Sequence, residues 1–393
     1  MPRLHLRLTT PTSRMKNIRQ EVLKTHQSLF GKPSTITCAP GRVNILGEHI
    51  DYNGGQSYTF CLDRYIYIVG NKNQDRGLRL YSHTYRRYTE WQERLPKEKW
   101  STFIQESVKL WEKKYSPLHL DLTIGSDLPS GAGISSSSAL VCGLLSFFAE
   151  TQKRTLTPDE LIAMASEVEY GAGLQGGLMD QTTIVKGVQG SILHLDFAMK
   201  STSSVKINPD YNWTLVDSQI EHSLVDSEYN TRKKECQKAL SIINDSSGSS
   251  HTFLAHISEE DLSYLEDYPE LLSRAQFVYN EMQRVKKLSA LLGNHNPEKV
   301  GALLSETHEG LSTKYKVSTP VVDELVQSLN ASSSVYGSRM MGGGFGGSIL
   351  LLTKPDAEAE IQPIIEHYNN RHDKSTRLIY AHPVSGLKNE SLY

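Results

Sequence analysis

The sequence predicts an α+β protein made of two domains. Apolar residues at helical spacing and the alternating pattern of strands follow one another irregularly, unlike the regular strand and helix succession of a parallel sheet. The 393 residues are enough for two domains, each with its own core. We expect the boundary near residue 200, which gives an N-terminal domain at 1–200 and a C-terminal domain at 201–393.

In the N-terminal part, the spacing of apolar residues predicts helices and strands that are separated by polar segments. They are a helix at 16–29, strands at 34–38, 58–72 and 78–82, a helix at 100–113, a strand at 118–124, a glycine-rich loop that leads into an apolar helix over 128–150, and a helix at 159–170.

From residue 190 on, the same patterns predict three strands and several long helices. The strands are expected at 190–197, 213–219 and 348–353, and the helices at 229–243, 262–292, 297–314, 321–330 and 356–368. Pro269 leaves open a break in the helix at 262–292, because proline lacks the backbone N–H that a helix interior needs.

The composition argues against a nucleic-acid or membrane partner. Lys and Arg number 42 against 44 Asp and Glu, and no long block of like charge stands out. The uncharged run at 128–149 is as long as a membrane span, but it opens with Pro, Gly and Ser. Four cysteines lie far apart, at positions without disulfide or zinc spacing, which favours reduced thiols and a cytoplasmic protein.

The N-terminal residues 1–14 are basic and contain no acid. This composition occurs in organelle transit segments, but Pro2 and Pro11 interrupt the stretch and Met15 offers another start. We favour a disordered leader or a misplaced start codon over a targeting signal.

Ionisable residues are concentrated between Ala39 and Gly55, where we expect a loop between two strands. Four ionisable groups lie within ten residues of one another, accompanied by glycines: Arg42, Glu48, His49 and Asp51. A segment that only had to turn would use Gly, Pro and Asn. The group is instead suited to hydrogen bonding with a polyhydroxyl ligand, and an ordinary polar loop is the alternative.

A second glycine-rich segment, 128–140, runs directly into the apolar helix. Free backbone N–H groups at a helix N-terminus attract phosphate, and Gly131 and Gly133 allow a close approach. The hydroxyls of Ser135, Ser136 and Ser137 add donors or an oxygen for Mg²⁺. The segment has neither the Lys of a Walker A loop nor a Gly-x-Ser-x-Gly nucleophile elbow, and a serine-rich helix cap is the alternative.

A third segment, 339–347, has five glycines in the six positions from Gly342 to Gly347. This composition suits a backbone that passes tightly beside another loop or a ligand, and a flexible hinge is the alternative. In 176–181, Asp180 follows two glycines, where a lone carboxylate often serves as a cap or turn residue.

These segments together resemble the galactokinases of the GHMP small-molecule kinase superfamily. Residues 41–55 are similar to the galactokinase segment, 129–139 to the nucleotide loop and 342–347 to the third superfamily motif; 179–181 and 227–229 with Arg232 resemble further galactokinase segments. The resemblance implies ATP-dependent phosphorylation of the C1 hydroxyl of a hexose. It also implies an S5-like N-terminal domain and a ferredoxin-like C-terminal domain, with the active site in the cleft between them.

The resemblance also assigns roles by position. It implies that Asp180 and Arg42 are catalytic. The implied sugar-binding residues are Glu48, His49, Ile50, Asp51, Gly177 and Tyr229. The implied nucleotide-binding residues are Ser82, Gly131, Ala132, Gly133, Ile134, Ser135, Ser136 and Ser137. Mg²⁺ would be held by Ser137 and by Glu169, with Glu167 as the alternative.

Two departures from the family pattern leave the sugar open. Residues 56–62 lack the usual Val-Leu-Pro, and Gly176-Gly177 stands where Cys-Gly is common. Galactose is favoured by Tyr229, and N-acetylgalactosamine and arabinose are the alternatives. A non-catalytic sugar and ATP sensor is the alternative of another class, although such sensors lose residues of the nucleotide loop that are present here. We expect a monomer, with an oligomer left open.

Overall fold

The structure is a computed structural model that describes residues 17–74, 77–90, 99–129, 131–174, 176–220, 225–292 and 296–392, so the predictions for residues 1–14 lie outside it. The N-terminal elements are α1 (Ile18–Phe30), β1 (Thr35–Leu46), β2 (Gln56–Lys72), β3 (Leu78–Ser82), β4 (Arg87–Glu90), α2 (Lys99–Lys114), β5 (Leu120–Ser126), α3 (Ser136–Thr151), α4 (Pro158–Gly171), α5 (Met179–Lys186), β6 (Ser191–Asp196) and β7 (Ser201–Lys206).

The remaining elements follow in chain order. They are β8 (Asn212–Asp217), α6 (Val225–Ser247), α7 (Pro269–Leu292), α8 (Pro297–Glu309), a π-helical turn (Gly310–Tyr315), α9 (Pro320–Asn330), β9 (Val335–Met341), β10 (Ser348–Thr353), α10 (Glu358–His372), β11 (Leu378–Tyr380), β12 (Pro383–Val384) and β13 (Lys388–Ser391). Short 3-10 turns lie at Asp51–Asn53, Leu254–His256 and Glu260–Leu265. The chain breaks its helix before Pro269, where the sequence left a break open.

The described strands form two sheets, and helices pack against both of them. This arrangement agrees with the predicted α+β class. The first sheet has the order β13-β1-β2-β5-β3-β4, with β12 and β6 also pairing β2 and with β7 pairing β6. Among the strand pairs of the described residues, only β3 and β5 run parallel. The second sheet has the antiparallel order β11-β8-β10-β9.

Strand β1 differs from the prediction because it does not end at Cys38. It stays paired with β2 as far as Leu46, with register shifts between Pro40 and Gly41 and again before Leu46. Proline cannot donate to a ladder and is tolerated at bulges, so the Pro-Gly pair marks a bulge here and not a loop. The first half of the ionisable segment is therefore held rigidly in a sheet.

Helix α3 is the centre of the first core. Nearly all its residues are buried, including Phe147 and Phe148, because it packs against β1 and β2 on one side and α2 and α4 on the other. A helix that is apolar on every face needs such cover. The second core lies between the second sheet and the helices from α6 to α10, around Phe277, Tyr315 and Leu351.

The first sheet takes strands from both ends of the chain. Strand β7 begins at Ser201, one residue beyond the predicted boundary, and pairs with β6. The C-terminal strands β12 and β13 return to pair with β2 and β1. A division at residue 200 therefore cuts the β6–β7 hairpin and leaves residues 383–391 with the first sheet.

Seven of the described helices and strands are not predicted from the sequence, namely α5, β4, β7, β9, β11, β12 and β13, and two of them lie at the glycine-rich segments. Residues 179–186 form helix α5, although Asp180 was expected in a tight turn, and residues 335–341 form strand β9 before the third glycine-rich segment. Both are short and lack a clear period of their own, so neighbouring packing determines them.

All four cysteines lie in described residues and are buried free thiols, which agrees with the expected reduced state. In the part of the chain that the structure describes, none of the helices combines the length and apolarity needed to span a bilayer.

Helix α8 lies so close to strand β9 that only glycine fits between them. A Cβ added at Gly337 would lie 1.9 Å from the carbonyl oxygen of Gly301. We expect Gly337→Ala to lower the free energy of unfolding by about 2–4 kcal/mol, because backbone must shift. The control Gly176→Ala, whose Cβ meets nothing within 4 Å, should change it by less than about 1 kcal/mol. Equal urea midpoints for the two variants would contradict this.

Candidate active site

The three glycine-rich segments meet around one cavity of about 600 Å³. Both halves of the chain contribute to its wall. From the first half come Arg42, Glu48, His49, Asp51, Ser82, Gly131, Gly133, Ile134, Ser135, Ser136, Ser137, Glu169, Gly177 and Asp180, and from the second half Ile220, Tyr229, Met341, Gly343, Gly344, Phe345, Gly346 and Gly347. Residues as far apart in the sequence as Arg42 and Gly347 thus face one space.

An ion pair between Arg42 and Asp180 lies at the centre of this wall. Arg42 Nε donates to Asp180 Oδ1 at 2.8 Å, and its second arm donates to the carbonyl of Gly133. The hydroxyl of Ser135 donates to the other oxygen, Oδ2, of Asp180. The Arg42 side chain is only 5% exposed, whereas that of Asp180 is 28% exposed, so the carboxylate is the partner that a ligand can reach.

Helix α5 begins at Met179, shortly after Gly176-Gly177, and carries Asp180 in its first turn. A Cβ at Gly177 would lie 1.9 Å from Oδ2 of Asp51, so only glycine lets this chain pass the carboxylate. The contact brings the turn before α5 against the 3-10 turn at Asp51–Asn53. It explains how Gly177, Asp51 and Asp180 come to share one region of the wall.

Residues 131–137 of the second glycine-rich segment form the phosphate-type loop of the cavity. Left-handed conformations expose the backbone of this loop. Gly131 and Gly133 have φ of 75° and 66°, and Ser135, just before α3, has φ of 60°. Ser135 is the N-cap residue of α3, but its side chain bonds Asp180 and not the helix end. The first N–H groups of α3 therefore remain available for an anion, where the helix dipole favours negative charge.

The third segment packs against this loop, as its glycines predict. A Cβ at Gly133 would lie 3.0 Å from the carbonyl oxygen of Met341, and one at Gly342 would lie 3.0 Å from that of Gly133. Gly342, Gly344, Gly346 and Gly347 have φ between 81° and 152°, and Phe345 has φ of 59°. Close passage of two backbones accounts for the composition better than a flexible hinge.

Glu48 links the first segment to the third through a buried ion pair. Its Oε2 accepts from Arg339 Nη2 at 2.7 Å and from the N–H of Gly342 at 3.0 Å. Arg339 is fully buried and also donates to the carbonyl of Asn44. Both protein contacts reach the same carboxylate oxygen, so Glu48 can anchor the loop and still offer Oε1 to a ligand.

His49 and Asp51 also line the cavity. Both have strongly perturbed ionisation: burial lowers the pKa of His49 to about 4 and raises the pKa of Asp51 to about 7, where Asp180 adds to the rise. His49 is thus a neutral imidazole at neutral pH. Its ring lies 5.2 Å from that of Tyr229, which also lines the cavity.

The predicted alternatives for a metal ligand have different surroundings. Glu169 is buried, lines the same cavity as Ser137, and accepts hydrogen bonds from Ser138 at 2.6 Å and from Gln181. Glu167 is half-exposed and pairs with Lys114 at 2.7 Å. Burial raises the pKa of Glu169 to about 7; the charge of Asp180 adds to this rise, and the hydrogen bonds from Ser138 and Gln181 and the charge of Arg42 oppose it.

A serine hydroxyl and one buried carboxylate beside a phosphate-type loop suit Mg²⁺, which is commonly held by one or two carboxylates together with substrate phosphates. Within the described residues, there is no group of three or more His, Cys, Asp or Glu that could hold a metal alone. Ser137 and Glu169 therefore fit an ion shared with a nucleotide better than an all-protein site.

One part of the cavity wall is apolar and aromatic, which the sequence did not reveal. Trp100 and Tyr85 stack at 4.9 Å with 14° between their planes, and Phe103, Ile104 and Leu128 complete the wall. Ser82 lies beside them, and its hydroxyl accepts from the N–H of Tyr85 at 3.3 Å. Flat aromatic faces with few polar atoms suit a nucleobase.

Some predicted residues are placed elsewhere. Ile50 is buried in the second core, where it closely approaches Gly55, and Ala132 is buried beneath the loop in the first core. Their side chains are packing residues in this structure, so the roles that the resemblance implies for these two positions stay predictions. Residues 56–62, whose departure from the family pattern left the sugar open, form the start of β2 outside the cavity wall.

Comparison with known proteins gives these segments a context. Family models match at residues 24–72 (galactokinase galactose-binding signature), 102–188 (GHMP kinases N terminal domain) and 288–370 (GHMP kinases C terminal). The galactokinase of Thermotoga neapolitana is 33% identical over 338 residues, which cover 85% of this chain and 93% of that protein. This chain belongs to the galactokinase family. The galactokinase of Chloroflexus aggregans is 34% identical over 336 residues, covering 83% of this chain and 86% of that one.

The fold agrees with this assignment. A crystal structure of Lactococcus lactis galactokinase complexed with galactose matches with a TM-score of 0.86 at 22% identity, over 94% of this chain and 99% of that one. The predicted two-domain GHMP kinase fold is thereby confirmed. The cavity between the halves is where the resemblance placed the active site.

The raised pKa of Glu169 predicts a pH-dependent stability. A carboxyl whose folded pKa is raised stabilises the fold below its unfolded value of 4.5, and this contribution is lost as the pH rises through about 7. Glutamine imitates the protonated form. We therefore compare the free energies of unfolding of Glu169→Gln and wild type, measured with urea. The value for the variant minus the value for wild type should rise by roughly 1–3 kcal/mol from pH 5 to pH 8, because only wild type loses stability over this range.

The matched control is Glu167→Gln, which removes an exposed ion pair two residues away. Its effect should stay within about 0.5 kcal/mol and should not depend on pH over this range. A difference between Glu169→Gln and wild type that is the same at both pH values would contradict the burial of an unpaired carboxylate.

Proposed function

We propose that this protein is an ATP-dependent sugar 1-kinase that converts galactose and ATP to galactose 1-phosphate and ADP. The observation that carries the proposal is the Arg42–Asp180 pair, held between a phosphate-type helix N-terminus and a group of polar side chains. Phosphoryl transfer needs alignment and charge stabilisation more than covalent help from the protein, and this pair lies where both substrates would meet.

In the proposed reaction, the C1 hydroxyl oxygen of the sugar forms a bond to the γ-phosphorus of ATP while the bond to the β,γ-bridging oxygen breaks. ADP leaves with the bond electrons. Asp180 accepts the hydroxyl proton or orients it, because its carboxylate is the exposed partner of the pair. Arg42 holds that carboxylate in place and stabilises negative charge on the transferring group.

The nucleotide would bind with its base near Trp100 and its phosphates along 131–137. The left-handed glycines open the backbone, and the N–H groups at the start of α3 point to the phosphates. Ser137 and Glu169 would hold a Mg²⁺ ion, whose role is to neutralise phosphate charge when bound. The sugar would bind between Asp180 and the group formed by Glu48, His49 and Asp51.

Galactose is proposed as the sugar because the wall at that end keeps Tyr229 and the galactose-binding segment. Coupled measurement of ADP release with galactose, N-acetylgalactosamine, arabinose and glucose tests this. We expect the highest kcat/KM with galactose. A preference for another sugar of the panel would overturn the substrate, and ADP release with none of them would favour the sensor and overturn the kinase.

Asp180→Asn tests the chemical step. Because the amide keeps the shape but cannot accept the proton, we expect kcat to fall by about 10²- to 10⁴-fold while the KM for galactose changes less than about 5-fold. Asp159→Asn, which changes an exposed carboxylate on α4, is the control and should keep full activity. Full turnover by Asp180→Asn would remove the catalytic assignment.

Trp100→Ala tests the nucleotide end. Loss of a stacking face should raise the KM for ATP by about 5- to 50-fold and leave the KM for galactose within about 2-fold, since Trp100 is not among the residues proposed to bind the sugar. The control is Tyr170→Ala, which removes an aromatic ring that is 67% exposed and lies outside the cavity wall. Equal effects on both substrates would contradict the proposed base site.

A further inference from the structure

One helix of the second half of the chain holds both ends of the 47–55 segment, which joins β1 to β2 and carries three of the proposed sugar-binding side chains. At the start of the segment, the N–H of Gly47 donates to Oε1 of Glu281 in α7 at 2.8 Å. Just past its end, the N–H of Gln56 donates to Sδ of the next helix residue, Met282, at 3.4 Å. Adjacent residues of α7 therefore contact both ends of the segment.

Helix α7 passes from one core to the other where these contacts are made. Phe277 and Met282 pack in the second core, and Val285 and Leu288 pack in the first. Glu281 lies between these two groups and is fully buried. The contact with the segment thus comes from a part of the helix that is packed on both sides.

The two carboxylate oxygens of Glu281 have different partners. Oε2 accepts from Nε of Arg284 and from the hydroxyl of Thr307 on α8, both at 2.8 Å. Oε1 accepts from Gly47. A carboxylate suits this position because it offers acceptors only, whereas an amide would point its NH₂ group at one of the two N–H donors. The side chain is held by α7 and α8 through one oxygen and holds the segment through the other.

The backbone at Gly47 is held on its other side as well. The carbonyl of Gly47 accepts from the hydroxyl of Ser57 at 2.8 Å. The residue has φ of 93°, and a Cβ there would lie 2.4 Å from a backbone carbonyl oxygen of β2. Since Glu48 and His49 follow directly, the hydrogen bonds to Gly47 determine where their side chains begin.

Glu281 is not one of the described residues that line the cavity. It differs in this from Glu48, whose own carboxylate faces the cavity and pairs with Arg339. The contact with Arg339 holds a side chain of the segment, whereas the contact with Glu281 holds the backbone that carries it. A change at Glu281 can therefore move the segment without removing a group from the wall.

We propose that Glu281 is a positioning residue that fixes the backbone of the 47–55 segment, through Gly47, in the arrangement that binds the sugar. Its effect on the sugar rests on the proposed function, whereas the anchoring of Gly47 does not. Glu281 acts through Glu48 and His49 and touches neither substrate.

Arg284→Met removes the cation and leaves the carboxyl group in place. Breaking a buried ion pair from one side lowers stability, so we expect a lower urea midpoint than in wild type. The carboxyl group, ionised or protonated, can still accept from Gly47. The KM for galactose should therefore stay within about 2-fold of wild type.

Glu281→Leu/Arg284→Met removes both charges and leaves no unpaired ion in the core, so its urea midpoint should exceed that of Arg284→Met. Leucine cannot accept from Gly47. We expect the KM for galactose to rise by about 5- to 30-fold, with kcat and the KM for ATP changed less than about 3-fold, because other contacts hold Asp180. In protein labelled with ¹⁵N-glycine, the Gly47 amide should exchange with deuterium at least about 10-fold faster than in Arg284→Met.

Asp121→Leu/Arg79→Met is the matched control. It removes an ion pair of 2.6 Å between β3 and β5, whose carboxylate is also buried and whose residues do not line the cavity. The KM for galactose and the exchange of the Gly47 amide should both stay within about 2-fold of wild type.

The proposal is overturned if Glu281→Leu/Arg284→Met keeps the wild-type KM for galactose, or if Arg284→Met or the control raises that KM equally. Equal effects would mean that the loss follows from removing a buried ion pair and not from releasing Gly47. If wild type phosphorylates no sugar, the proposed function fails, and amide exchange still decides the anchor. Equal exchange of the Gly47 amide in the two Arg284 variants would overturn it.

Discussion

The buried guanidinium of Arg42 is the constraint on which the site depends. A charge that is removed from water must be paired and hydrogen-bonded, or the fold loses several kcal/mol. Among the described residues, Arg42 meets this requirement by donating to Asp180 on α5 and to the carbonyl of Gly133 in the phosphate-type loop. Strand β1, the loop and the helix therefore have one mutual arrangement, in which the carboxylate faces the cavity.

The same strand leads to a second buried charge pair. Beyond Leu46, Glu48 is held by Arg339 of β9, and Gly47 donates to the buried carboxylate of Glu281 in α7 at 2.8 Å. One short segment thus connects the phosphate end of the cavity with the second half of the protein. Proximity and orientation supply much of the rate of a two-substrate reaction. A segment that is held rigidly on both sides of the cavity therefore favours the reaction.

Much of the site could be predicted, because a chain that only makes a turn does not need ionisable residues among its glycines. Arg42 and Asp180 stand out from the sequence for this reason. The sequence predicts a loop where the structure has the strand through Arg42, because a Pro-Gly bulge has the composition of a turn. Ile50 was included only for its place in the motif, and it packs into the core. The roles of Trp100 and Arg339 depend on contacts across long stretches of sequence, so an isolated sequence carries little sign of them.

A structure of the protein with galactose and a non-hydrolysable ATP analogue tests the central claim most directly. The account predicts the C1 hydroxyl within about 3 Å of the Asp180 carboxylate and the γ-phosphate between Arg42 and the start of α3. A sugar whose C1 hydroxyl points away from Asp180, or phosphates bound outside the 131–137 loop, would contradict it.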